Sequence, residues 1–183
     1  VAGVLFVMSK MNPKSYPDRE NDEAPSERVY DEADVLSYKE EDKLRELIEE
    51  TEKKIQRDII LVTIDQPVEN LDEDEMEEYG YRYDDWELNM QDIADDFYDE
   101  REFGYDEAGD EGEGILFLDN WYPNQEGSWI STSGDAYAML GEYEIDRIID
   151  AVYENIESDP YDAYKAYVKT AEKYLIDEEN DEG

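Results

Sequence analysis

The sequence predicts an α/β fold in which helices cover both faces of a sheet. Three observations predict it. Ile59-Ile-Leu-Val-Thr-Ile64 is β-branched and apolar at consecutive positions, as in a strand covered on both faces. Amphipathic stripes at helical spacing flank it on both sides in the chain. The resulting order is helix, strand, helix, strand, strand, helix, helix, and only a layered arrangement buries every apolar stripe.

The first helix starts at Ser37. Ser37 and Glu40 have the spacing of a capping box, which makes Ser37 the N-cap. Leu44, Leu47, Ile48, Thr51 and Ile55 then fall on one face. After the strand Ile59–Ile64, an acidic burst at Asp72–Glu78 reads as a solvated face or an insertion. Met90, Ile93, Ala94, Phe97 and Tyr98 restore helical spacing, with Gly104 as the expected C-cap. Ile115–Leu118 and Trp129–Thr132 form a hairpin around a turn at Asn120–Gly127. Ile145, Ile148, Ile149, Val152, Tyr153 and Ile156 make the cleanest amphipathic stripe. Pro160 opens a last helix whose buried face carries Tyr161, Tyr164, Tyr167, Val168, Ala171, Tyr174 and Leu175.

Three segments follow from this reading. Residues 1–27 are an apolar stump and an irregular linker, residues 28–176 the α/β domain, and residues 177–183 an acidic tail. The eight residues Val1–Met8 are too few to span a bilayer. They read as the end of a cropped signal or anchor, an edge strand or a docking segment.

Composition excludes much chemistry. The 183 residues contain no Cys and no His, so disulfides, thiolate nucleophiles, Cys- or His-ligated zinc and His-dependent triads are ruled out. With 55 acidic and 16 basic side chains the net charge is −39, which argues against nucleic acid and anionic lipid as partners. A salt-adaptation reading also explains that excess.

The order of short motifs resembles the TPM domain family. The resemblance rests on Val29-Tyr-Asp-Glu-Ala-Asp-Val-Leu-Ser37, on Ile60-Leu-Val-Thr63, on Ala94-Asp-Asp-Phe-Tyr98 through Gly104-Tyr105, and on Glu111-Gly-Glu-Gly-Ile-Leu-Phe-Leu118. Ile130-Ser-Thr-Ser-Gly134 and Ile145-Asp146 through Val152 complete it, so that it spans Val29–Leu175. It implies a three-layer α/β/α sandwich, Rossmann-like, with a central sheet of about four strands. It also implies an extracytoplasmic domain held at a membrane through a segment outside this sequence. Members resemble weak acid phosphatases, assistants of membrane protein complexes, or calcium-binding proteins. Gly112 and Glu113 stand where members often carry Asp before the strand glycine, so any ligand role there passes to Asp110, Glu111 or Glu113.

Three groups are candidate sites. Asp106, Asp110, Glu111 and Glu113 lie in a glycine-rich loop that either wraps a hard cation or is an ordinary acidic turn. Asp31 and Asp34 either join that loop as Ca²⁺ ligands or serve a turn and cap before the first helix. Ser131, Thr132, Ser133 and Asp135 end a strand, and Asp146 lies one helix further on; they line a ligand crevice or satisfy backbone groups. The metal set is therefore Asp31, Asp34, Asp106, Asp110, Glu111, Glu113, Asp135 and Asp146, expected to converge at one rim and share Ca²⁺, or Mg²⁺. No organic cofactor is expected. Trp121, Tyr122 and Trp129 form a protein-contact surface if they are exposed and contiguous. Two functions fit: a calcium-stabilised binding or scaffold module with a membrane protein complex or another protein as partner, or a metal-dependent acid phosphatase-like hydrolase acting on a small phosphoester with carboxylates only. Oligomeric state is open.

Overall fold

The computed structural model describes residues 16–69 and 85–176. The apolar run Val1–Met8, the acidic burst Asp72–Glu78 and the tail at 177–183 lie outside the described residues. In chain order the elements are β1 (Val29–Asp31), α1 (Tyr38–Ile55), β2 (Asp58–Ile64), α2 (Asp85–Glu100) and a 3-10 turn (Gly109–Glu111). Then come β3 (Gly114–Asn120), β4 (Gly127–Ser133), α3 (Ala136–Met139), α4 (Glu142–Tyr153) and α5 (Pro160–Leu175).

The strands lie side by side in the order β1-β2-β3-β4. The first three are parallel and β4 runs antiparallel to β3. Because side chains alternate along a strand, β2 and β3 each feed two cores. Ile59, Leu61, Ile115 and Phe117 pack with Leu44 and Ile48 of α1, Ile148 and Val152 of α4, and Tyr164 and Tyr167 of α5. Ile60, Val62, Leu116 and Leu118 pack instead with Met90, Ala94 and Tyr98 of α2. This is the three-layer sandwich, and it explains why the Ile59–Ile64 run has no polar side. Both crossovers step the same way across the sheet, yet α1 lies over one face and α2 over the other. They therefore have opposite hands, and one of them is the rare left-handed form.

Local chemistry sets most boundaries. The Ser37 N–H and Oγ donate to the Glu40 carboxylate at 2.8 and 2.6 Å, fixing the start of α1. Asp159 accepts from the Asp162 N–H at 3.0 Å and Pro160 occupies the first turn of α5. The tyrosines of α5 are core residues: Tyr164 and Tyr167 are fully buried, and Tyr161 and Tyr174 pack partly buried against the same cluster. Three elements differ from the expectation. β1 pairs with β2 at Tyr30 and Val62, although its three residues carry no strand pattern of their own. α3 is an additional short turn of helix. The second long helix ends at Glu100, and Glu102 takes the left-handed conformation (φ 56°) in place of Gly104. Gly104 serves close approach: a Cβ there would lie 1.9 Å from the Glu107 carbonyl oxygen and 2.7 Å from the Gly112 Cα.

Charge is buried at the amino end of β2. Asp58 is fully buried and pairs with Arg19 and, at 3.5 Å, with Arg28. Arg28 also holds Glu52 at 2.7 Å, and Glu52 accepts the Ile59 N–H at 2.9 Å. The chain before β1 is tied to this cluster, since Asn21 donates to the Glu102 and Gly104 carbonyls at 2.8 Å each. Burial first, and then the charge of Asp58, push the Glu52 carboxyl up to about 7. The folded state thus keeps a proton that the unfolded chain releases near 4.5.

Stability from this group is therefore greatest below about 4.5 and is lost as pH rises to about 7. In urea melts at fixed salt, Glu52→Gln should flatten the loss between pH 5 and 7.5 by on the order of 1 kcal/mol; equal slopes in the two proteins would contradict the assignment. Gly112→Ala should cost about 2–4 kcal/mol, because its Cβ would also meet the Glu107 carbonyl. Gly109→Ala has open space and should cost only about 1–2 kcal/mol for its positive φ.

Candidate functional site

Parallel strands give the sheet two chemically different ends. The carboxyl ends of β1, β2 and β3 bring Asp31, Thr63 and Asp119 into one row across the register. The chain leaves β1 toward one face and β2 toward the other, which opens a crevice at that end. The amino end carries Asp58 beside Gly114.

This geometry divides the predicted metal set. Asp31 ends β1, whereas the loop holding Asp106, Asp110, Glu111 and Glu113 enters β3 at its start. Five residues of β2 separate the two levels, roughly 16 Å of strand. The expectation of a single shared rim is therefore corrected. A residue after a strand and a loop before a parallel neighbour necessarily lie at opposite ends. Among the described residues no three acidic side chains are grouped closely enough to hold a metal ion.

Each member has a local role. Asp31 is half-buried and accepts from Thr63 Oγ1 at 2.5 Å, the Leu36 N–H at 2.8 Å and the Val35 N–H at 3.3 Å. It ties the end of β1 to the approach of α1. Asp34 is exposed in the left-handed conformation (φ 53°) and its N–H donates to the Asp31 carbonyl at 3.2 Å. At the other end, Asp106 accepts the Glu113 N–H at 2.9 Å, and Glu113 accepts the Asp135 N–H at 2.7 Å. The countercharge of Glu113 is Arg57, at 3.0 Å. Asp110 and Glu111 lie in the 3-10 turn, and Asp146 is exposed on α4. Ser131 donates to Asp95 of α2 at 2.5 Å, so it joins two layers.

The carboxyl end holds a constellation that the sequence reading missed. Asp119 is only 4% exposed, the last residue but one of β3 before the hairpin turn. Tyr164 donates to one of its oxygens at 2.6 Å and Ser128 to the other at 2.7 Å. Behind them, the Trp121 indole N–H donates to the Tyr164 hydroxyl at 2.9 Å, and Ser128 Oγ lies 3.1 Å from the Tyr153 hydroxyl. Burial raises the Asp119 carboxyl above the usual carboxylate range, against the pull of these hydrogen bonds. Burial, and then the Asp119 charge, hold Tyr164 firmly protonated. A cavity of about 590 Å³ opens here, lined by Asp119, Asn120, Trp121, Glu126, Tyr153 and Glu157 among others. The available signal was an acid closing an otherwise apolar strand, Ile115-Leu-Phe-Leu-Asp119.

The three hairpin aromatics do not make one surface. Trp121 belongs to this cavity, whereas Trp129 packs against the opposite core, beside α2. Among the described residues the exposed large hydrophobic side chains are Tyr38, Tyr137, Tyr143 and Tyr153. No described helix is long and apolar enough to cross a membrane.

Comparison with known proteins places this architecture. Two solution NMR structures share the fold. The N-terminal domain of the cg2496 protein from Corynebacterium glutamicum aligns with a TM-score of 0.54 at 12% identity, covering 87% of each chain. The N-terminal domain of a protein from P. gingivalis aligns with a TM-score of 0.51 at 17% identity, covering 80% of each. No curated protein matches the sequence. The family model of the TPM domain matches residues 29–174, from the first residue of β1 to the last turn of α5. The chain belongs to the TPM domain family.

Proposed function

We propose that this TPM domain is a binding or scaffold module, working outside the membrane beside a membrane protein complex and stabilised by divalent cation, Ca²⁺ before Mg²⁺. The observation that carries the binding reading is the crevice at the carboxyl ends of the parallel strands, with the buried Asp119 carboxylate at its floor and a cavity of about 590 Å³ above it. Support for a cation comes from the net charge of −39, which strains the compact state through self-repulsion. Asp106, Glu111 and Asp135 are exposed around the loop before β3, where a cation would relieve that repulsion. A carboxylate-only phosphatase needs acidic ligands gathered on one cation, and the division of the set between two sheet ends favours binding over hydrolysis.

Thermal melts test the cation. At constant ionic strength, CaCl₂ should raise Tm by several degrees over EDTA, and MgCl₂ by less; superimposed curves would remove Ca²⁺ from the account. Incubation with a generic aryl phosphate and Mg²⁺, Mn²⁺ or Ca²⁺ should give no turnover above the buffer rate. Saturable turnover that Asp106→Asn or Asp31→Asn abolishes would replace the binding reading with the hydrolase.

A further inference from the structure

We propose that the cavity beside Asp119 binds a primary alkylammonium group. The proposal rests on the binding-module reading and names the ligand chemistry of its crevice. Its floor is one buried carboxylate and its rim carries two exposed ones, Glu126 and Glu157. No basic residue lines it, and among the described residues no basic side chain pairs with any of the three.

Asp119 is a built acceptor. Buried carboxylates are ordinarily paired with a cation, as Asp58 and Glu52 are at the far end of this sheet. Asp119 is held instead by neutral groups, a hydroxyl on each oxygen with the Trp121 indole beside them, and those hydroxyls also meet Trp121 and Tyr153. None of these donors carries a charge, so the carboxyl has no cationic partner among the described residues, and a carboxylate has acceptor capacity beyond them. An ammonium placed there would offset the burial that raises its pKa.

The walls select an organic cation. Trp121 and Tyr153 offer aromatic surface and Ile156 an apolar side, which suit a charge carried on a hydrocarbon stem. The three carboxylates are not grouped closely enough to ligate a metal together. A compact ammonium with three donors needs only one close acceptor, whereas a guanidinium is best served by a bidentate one. Anions are excluded by the three carboxylates and by the whole-chain charge. The same ammonium occurs on a free diamine and on a lysine side chain of a protein partner.

The test uses the full chain at fixed NaCl and follows the Trp121 indole N–H by NMR. Titrants are butylammonium, cadaverine and a short neutral peptide with one central lysine, with tetramethylammonium and extra NaCl as controls. Butylammonium should give a saturable shift, weakened about tenfold by Asp119→Asn and about threefold by Tyr153→Ala. Tyr153 is on the exposed rim, so its substitution, with Glu157→Gln, keeps the test decisive if Asp119→Asn does not fold. Saturation with cadaverine but not the peptide assigns a free amine; saturation with the peptide assigns a lysine side chain. A shift that NaCl reproduces, or that survives both rim substitutions unchanged, overturns the proposal. Loss of the ammonium effect while CaCl₂ still raises Tm would sink this inference alone and leave the binding module standing.

Discussion

The parallel pairing of β1, β2 and β3 is the constraint on which the rest depends. It is enforced by burial on both faces: a strand such as Ile59–Ile64 has no side that water can cover, so helices must lie above and below it. Parallel direction then gives every carboxyl end to one edge and every amino end to the other. Any side chain near a strand terminus is assigned to an edge before its own chemistry matters. Asp31 and Asp119 are neighbours in this sense across β2, and Asp58 and Glu113 are neighbours at the opposite edge.

The two edges treat charge differently. At the amino edge arginines do the work: Arg19 and Arg28 hold Asp58 and Glu52, and Arg57 holds Glu113. In a chain with 16 basic residues, three arginines at one edge are a substantial share of the available cations. The Asp119 carboxyl at the other edge is held by neutral donors, the Tyr164 and Ser128 hydroxyls with the Trp121 indole beside them. An edge already neutralised from within suits structure, and an edge left negative suits a ligand that brings its own positive charge. This contrast, more than the acidic total, distinguishes the two ends of the sheet.

Much of the fold was legible because local and tertiary signals agree. Ser37 with Glu40, Pro160 after Asp159, and the stripe of α4 each specify their element without outside help. β1 was not legible as a strand: Val29–Asp31 is too short for a pattern and exists through its pairing with β2. Gly104 read as a cap because a glycine after a helix usually is one, but its lack of a Cβ is used against the Glu107 carbonyl. The site was less legible than the fold. Motifs close in a family pattern were expected to be close in space, and strand direction, which the order of elements already contained, separates them. Asp119 was overlooked because it ends a hydrophobic run and has no acidic neighbour in the sequence. Its partners Tyr164 and Ser128 are far from it in the chain or across a hairpin, and Tyr164 reads from its spacing as core alone.

The separation of the acidic groups can be measured directly. The chain has no Cys, so Asp34→Cys with Glu111→Cys places spin labels only at the two ends of the sheet. Electron-electron distance measurement on this pair should give a narrow distribution at about 16 Å or more. A population centred below about 10 Å, less than the span of four strand residues, would bring Asp34 and the loop before β3 onto one rim and contradict the account.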